Sequence, residues 1–262
     1  MEKLREKETI KRMKKYFLII LVLVTSVVFA QDNQALLEKG NAAYKSKYYQ
    51  QAIDCYLKVI KSGFEAPSLY FNMGDAYYKL NDYPSAILYY EKAKRLKPGD
   101  EDINFNLKVA NTKIVDKMET VPDFFLVRWF RGLSNIFSFN MWAILGIIFL
   151  VIFLGIFTLY LFSRTLKIRK LSFWISCLPL ALTLLSFIFA QSQYSSLNNT
   201  TEAIIFSPSV TAKSTPDANS TDLFVIHDGT KVKVTDNVGD WSEIKIENGS
   251  KGWVSNSSFK II

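Results

Sequence analysis

Two uncharged runs, residues 141–162 (MWAILGIIFLVIFLGIFTLYLF) and 171–190 (LSFWISCLPLALTLLSFIFA), interrupt the alternation of hydrophobic and polar positions in this chain. A helix needs about 20 apolar residues to cross the hydrocarbon core of a bilayer. Neither run has the polar stripe that a core helix of a globular protein turns to solvent. Trp142, Tyr160 and Trp174 lie near the ends of the runs, where aromatic belts form. Pro179 sits inside the second run and is tolerable in lipid, where neighbouring helices satisfy the carbonyl it frees. The connector, residues 163–170, holds Arg164, Lys167, Arg169 and Lys170 and no acid. A short cationic loop belongs in the cytoplasm, which puts both long flanks on the other side. A transmembrane hairpin with two extracytoplasmic flanks is the expectation.

Before the hairpin, residues 31–120 contain an internal repeat. An offset of 34 residues links Gly40 with Gly74, Asn41 with Asp75, Tyr44 with Tyr78, Tyr49 with Tyr83, Ala52 with Ala86 and Tyr56 with Tyr90. Glycine and alanine at these positions let paired helices approach, the tyrosines fill the space between them, and Pro98 ends the second helix. The 34-residue period with Gly, aromatic, Ala, aromatic and a terminal Pro resembles the tetratricopeptide repeat. A third unit from Asp100 fades, with Lys108 at its glycine position, and reads as a capping helix. In such repeats the first helix of each pair lines a concave face. The resemblance therefore implies a groove presenting Leu37, Asn41, Tyr44, Lys45, Phe71, Asn72, Asp75, Tyr78, Lys79 and Phe105. Each tyrosine is open to a binding or a packing role. The carboxylate-clamp variety needs lysine where Leu37 stands and a basic residue where Asp102 stands, so only Asn41 and Asn72 fit it.

After the hairpin, residues 191–202 read as a polar linker, and from 203 to 262 the period becomes two. Val210 and Ala212, Val232 and Val234, and Ile244 and Ile246 alternate with polar residues. Turn signals between them predict five short strands. With Asp228-Gly229-Thr230, Trp241 and Gly252-Trp253-Val254, the segment resembles a bacterial SH3 domain. Trp241 and Trp253 then form a ligand shelf or simply close the barrel. Residues 121–140, aromatic with Arg128 and Arg131, read as a helix in the headgroup layer or an extension of the first span.

Residues 1–30 read as a signal peptide: Lys14 and Lys15, an apolar run over 16–29, and a small-residue cleavage site before Gln31. An uncleaved anchor is the alternative. Met13 is the more natural start, which leaves residues 1–12 as an extension or a start-site artefact. The formal net charge of +8 comes from this segment and the connector, and both soluble parts are near neutral. No basic face for phosphates is visible, so nucleic acid is excluded as a partner. Cys55 and Cys177 fall in different predicted compartments and do not pair. His227, the only histidine, has no nucleophile nearby and is read as incidental. No catalytic set, metal-ligand spacing or cofactor loop appears, so no enzyme, metal or cofactor is expected.

The expected architecture is a multi-domain membrane protein: an all-α tetratricopeptide-repeat solenoid, a two-helix transmembrane hairpin and an all-β SH3-like small barrel. That order, with INFNLKVANTKIVDK at 103–117 and the aromatic stretch before the first span, resembles the BatE type of the Bat aerotolerance-operon family. The resemblance implies partners among membrane proteins with von Willebrand factor A domains, and a MoxR-type ATPase. It also implies a place in the bacterial inner membrane with both flanking domains periplasmic, and a role in stress or oxygen tolerance. Two functions stay open: a scaffold that docks proteins in the groove, and a peptidoglycan sensor acting through the SH3-like domain.

Overall fold

The repeat in the sequence becomes a repeat of helix boundaries. A computed structural model describes residues 33–117, 124–199 and 201–262. In it α1 covers residues 33–45, α2 Tyr49–Lys61, α3 Pro67–Lys79, α4 Tyr83–Leu96 and α5 Glu101–Asn111. The turn within each pair is the same object twice. Lys47 and Asn81 take positive φ, 64° and 62°, and Tyr44 meets Tyr49 edge-on as Tyr78 meets Tyr83. The helices pack closely because a methyl on Gly40 or Gly74 would come within 2.5 Å of the Tyr56 or Tyr90 ring. Ala52, Ala86, Tyr56 and Tyr90 are all buried. Asp82 and Asp100 cap α4 and α5 by accepting from Ser85 N–H and Ile103 N–H, each at 3.1 Å.

The middle of the chain is α6 Phe125–Ser134, α7 Phe139–Phe162 and α8 Leu166–Asn199. Both α7 and α8 are long and apolar enough to cross a membrane. Along α8 the buried positions Ser172, Ser176, Pro179, Thr183, Ser186 and Ala190 recur at alternating spacings of four and three. That is the 3.5-residue period of a left-handed helix pair. Small side chains on that seam let α7 come close. Gly146 of α7 packs on Ser186 and Phe187.

Three expectations change. The linker at 191–202 is helix and strand: α8 runs unbroken to Asn199 and the first strand begins at Thr201. No Pro or Gly interrupts residues 191–199, and Gln193 anchors this turn by donating to the carbonyls of Ser134 and Phe137. The basic connector shortens to residues 163–165, because Lys167, Arg169 and Lys170 enter the first turns of α8, where Lys and Arg are good helix formers. The barrel has seven strands where five were expected. The segment read as a signal peptide, and residues 118–123, lie outside the described residues.

The strands are β1 Thr201–Ile205, β2 Ser209–Lys213, β3 Asp222–His227, β4 Lys231–Val238, β5 Trp241–Lys245, β6 Lys251–Ser255 and β7 Phe259–Ile261. All pairs are antiparallel, in the order β3-β2-β6-β5-β4-β1-β7. Ala203, Ile205, Ala212, Ile226, Val232, Ile244, Ile246 and Val254 form the barrel core. Successive side chains of a strand point to opposite faces, so Ile204 leaves that core. It joins Ala86, Ile87, Tyr90, Leu107 and Ala110 of α4 and α5, together with Ile262. The barrel is thus docked on the end of the repeats. Both modules sit at the end of the hairpin away from the basic turn, since Gly99 abuts the Asn135 carbonyl after α6 and α8 leads straight into β1.

Gly74→Ala tests the packing logic. Overpacking against Tyr90 costs about 1–3 kcal/mol, more than the gain of up to about 1 kcal/mol from helix propensity, so the thermal midpoint falls. Gly132→Ala, where a methyl meets nothing within 4 Å, leaves it unchanged or raised.

Candidate functional site

The concave face is built from the first helices, α1, α3 and α5, and a polar relay holds them in register. Tyr56 donates its hydroxyl to Asn41 Oδ1 at 2.7 Å, and Asn72 Nδ2 donates to the same oxygen at 3.0 Å. One repeat later Tyr90 donates to Asp75 Oδ1 at 2.6 Å and Asn106 Nδ2 donates to it at 2.9 Å. Asn41 Oδ1, Asn72 Nδ2 and Asp75 Oδ1, on residues expected to face a ligand, are therefore engaged within the solenoid. The reason is geometric: the tyrosine filling each glycine notch brings a hydroxyl that needs an acceptor when buried.

Electrostatics follow from this burial. Burial pushes the Tyr56 hydroxyl up to about 12. Tyr90 lies well above the ordinary tyrosine range, by burial first and then by its hydrogen bond to Asp75 and the charge of that group. Burial also raises the Asp75 carboxyl above its usual value, against the hydrogen bonds from Tyr90 and Asn106 that favour its charge.

The other expected groove residues divide by exposure. Leu37 packs on the core of the first repeats, and Phe71 lies against Tyr90 with ring centres 5.9 Å apart. Tyr44 and Tyr78 are half-buried, Lys45 and Lys79 exposed, and Phe105 is 66% exposed. A recess of about 170 Å³ on this face is lined by Tyr44, Asp75, Tyr78, Lys79, Tyr90, Asn106 and Val109. No barrel residue lines it, so the docked barrel leaves the recess open.

The dock is a second constellation, and sequence reading missed it. Asp116, beyond α5, accepts from the backbone N–H of His227 at 2.7 Å and the Thr230 hydroxyl at 2.7 Å, with His227 Nδ1 2.9 Å from its other oxygen. His227 is therefore no bystander. Burial works to raise the Asp116 carboxyl, but these bonds outweigh it and hold the group below the usual carboxylate range. Gly229, with φ 82°, brings its turn against Ile114, which any side chain there would overlap. Lys231 bridges Glu91 of α4 and Glu202 of β1 at 2.9 Å each. Its ammonium loses solvation there, yet the two carboxylates raise its pKa overall. Arg95 Nη1 donates to the Ile262 carbonyl at 2.6 Å.

On the barrel, Trp241 pairs with Ser255 and Trp253 with Glu243 across neighbouring strands. Ser242, Ile244 and Val254, on the other side of these strands, are buried. The two tryptophans therefore share the outer face, half-exposed and diagonal to one another. Arg164, Lys167, Arg169 and Lys170 are exposed about the turn between α7 and α8, with Arg169 over the Tyr160 ring at 5.4 Å.

Comparison with known proteins agrees with this division. Tetratricopeptide repeat models match residues 34–62 and 67–100, and a bacterial SH3 domain model matches residues 209–260. Sperm-associated antigen 1 of Rattus norvegicus is 31% identical over 90 residues, which is 34% of this chain and 10% of that protein. Among solved structures, the first repeat domain of Spaghetti (RPAP3) bound to the HSP90 peptide SRMEEVD is 29% identical. That match covers 32% of this chain and 66% of the other, with a TM-score of 0.31. The Arabidopsis OM64 repeat domain is 20% identical over 56% of this chain and 96% of its own, also with a TM-score of 0.31. The chain carries tetratricopeptide repeats and a bacterial SH3 domain, typically non-catalytic interaction modules.

Asp75→Asn keeps an acceptor for Tyr90, as Asn41 does for Tyr56, and stays within about 1 kcal/mol of wild type; Asp75→Leu strands a buried hydroxyl and costs about 1–3 kcal/mol. The Asp75 carboxyl has a folded pKa above its unfolded one, so protonation stabilises the fold. The wild type gains on the Asn variant as pH falls through the folded value, and the gain is complete below about pH 4. Thermal unfolding of the two variants across pH checks both statements.

Proposed function

We propose that this chain is a non-enzymatic, membrane-anchored scaffold that holds a protein partner in its repeat groove on the extracytoplasmic side. The observation that carries this reading is that the barrel docks on α4 and α5 and leaves the concave recess unlined by its own residues. The anchor is the α7–α8 pair, whose outward surface is apolar over the length of a bilayer. The exposed cations of the turn mark the cytoplasmic end, so repeats and barrel share the opposite compartment. On α6, Phe125, Leu126 and Trp129 are exposed and suit the headgroup layer, where amphipathic helices lie. Within a Bat-type envelope complex the partners are membrane proteins with von Willebrand factor A domains and a MoxR-type ATPase, in a role tied to stress or oxygen tolerance. This family setting rests on resemblance alone.

One observation favours a second reading. Trp241 and Trp253 stay on an outer strand face with the barrel docked, so an SH3-like ligand, peptidoglycan among them, remains within their reach.

Photo-reactive residues at Tyr44 and Tyr78 test the scaffold: a discrete crosslinked protein from intact membranes supports it, and no capture contradicts it. A sacculus pull-down tests the second reading, which requires retention of the wild type and loss of at least about tenfold with Trp253→Ala, the cost of one aromatic anchor.

A further inference from the structure

The 34-residue offset that builds the solenoid also lays bands across its concave face. Leu37, Phe71 and Phe105 stand at this offset, and so do Lys45, Lys79 and Lys113, of which Lys79 lines the recess of the groove with Tyr44, Asp75 and Tyr78. The lysines close the C-terminal ends of α1 and α3 and the turn after α5. All three are exposed, and none forms a salt bridge among the described residues. Between the bands lie Tyr44, Tyr78 and the relay, whose one acid, Asp75, is engaged by Tyr90 and Asn106. A recess of about 330 Å³ includes Phe71 together with Lys97, Asp100 and Asp102, and Lys97 is paired with Asp100 at 2.8 Å.

We propose that the groove takes an extended acidic segment of a protein, with carboxylates along Lys45, Lys79 and Lys113 and apolar side chains along Leu37, Phe71 and Phe105. This deepens the scaffold reading and rests on it. Packed helices lie about 8–10 Å apart, so three rungs span about 16–20 Å, or about six extended residues at 3.3 Å each. Side chains of an extended segment alternate in direction, which matches one apolar and one basic wall. Asp102 and Leu37 stand where a terminal carboxylate would need cations, so the segment is read internally and a free chain end adds nothing.

The test uses the full chain in detergent and fluorescence anisotropy with labelled acetyl-Asp-Leu-Glu-Phe-Asp-Leu-Glu-amide. Its Asn/Gln counterpart and its free-carboxylate form are the comparison peptides. The acidic amide binds about tenfold more tightly than the uncharged peptide, the sum of three exposed charge pairs, and the preference weakens as salt rises. Lys45→Gln/Lys79→Gln/Lys113→Gln abolishes the preference without changing the thermal midpoint, and the free carboxylate improves binding by less than about twofold. Equal binding of charged and uncharged peptides overturns the proposal but leaves an occupied groove. A preference that survives the triple variant overturns it by placing the site elsewhere. A triple variant that loses stability while keeping the preference assigns the lysines to the helix ends, whose dipoles they complement. Failure of all three peptides overturns it too, and the crosslinking at Tyr44 and Tyr78 then decides separately whether the groove binds protein at all.

Discussion

One strand belongs to two cores, and the arrangement of the whole chain depends on it. Ala203 and Ile205 of β1 fill the barrel, while Ile204 between them fills the gap at the end of the repeats. Full burial of an aliphatic side chain of this size is worth about 1.5–3 kcal/mol, and Ile262 adds a second one at the same place. The repeats need this cover. Two helix pairs and a lone α5 leave an apolar surface where another second helix would pack in a longer solenoid. The barrel supplies that surface with a β-strand in place of the missing helix. Around this apolar contact, Asp116 and the Glu91–Lys231–Glu202 cluster specify one orientation, because each group is partly desolvated and satisfied only when the modules meet in register.

The consequence is a closed circuit. The repeats abut the residues after α6, α6 is tied to the end of α8 by Gln193, α8 runs into β1, and β1 returns to the repeats. A junction cavity of about 340 Å³, lined by residues of α4, α6, α8 and the barrel, lies inside the circuit. The recess of the groove shares no lining residue with it. In the proposed membrane setting, these contacts among the described residues fix the groove relative to the bilayer.

Much of this was legible in the sequence, and what was not has a common cause. The offset of 34 foretold two like helix pairs, because each repeat position answers a local steric need, as Gly74 answers Tyr90. The period of two found the strands that carry Ala212, Val232 and Ile244. The same offset also links Tyr56 with Tyr90, Asn41 with Asp75 and Asn72 with Asn106, so the relay was available to inspection. The pattern places Tyr56 and Tyr90 between paired helices and Asn41, Asn72 and Asp75 in the groove, because helix position gives direction but not partner. The docking was invisible: Asp116 and His227 are 111 residues apart, and nothing periodic joins them. Polarity misled at 191–199, where an absence of helix breakers mattered more than an absence of apolar residues. Lys113 needed only the offset carried one repeat further.

The central claim is that β1 makes repeats and barrel one cooperative unit. Hydrogen exchange of the full chain, comparing wild type with Ile204→Ala, tests it directly. A cavity at this site costs about 2–5 kcal/mol, and the account predicts that protection falls together in α4, α5 and the barrel strands. Loss confined to the barrel, with α4 and α5 as protected as before, would contradict it.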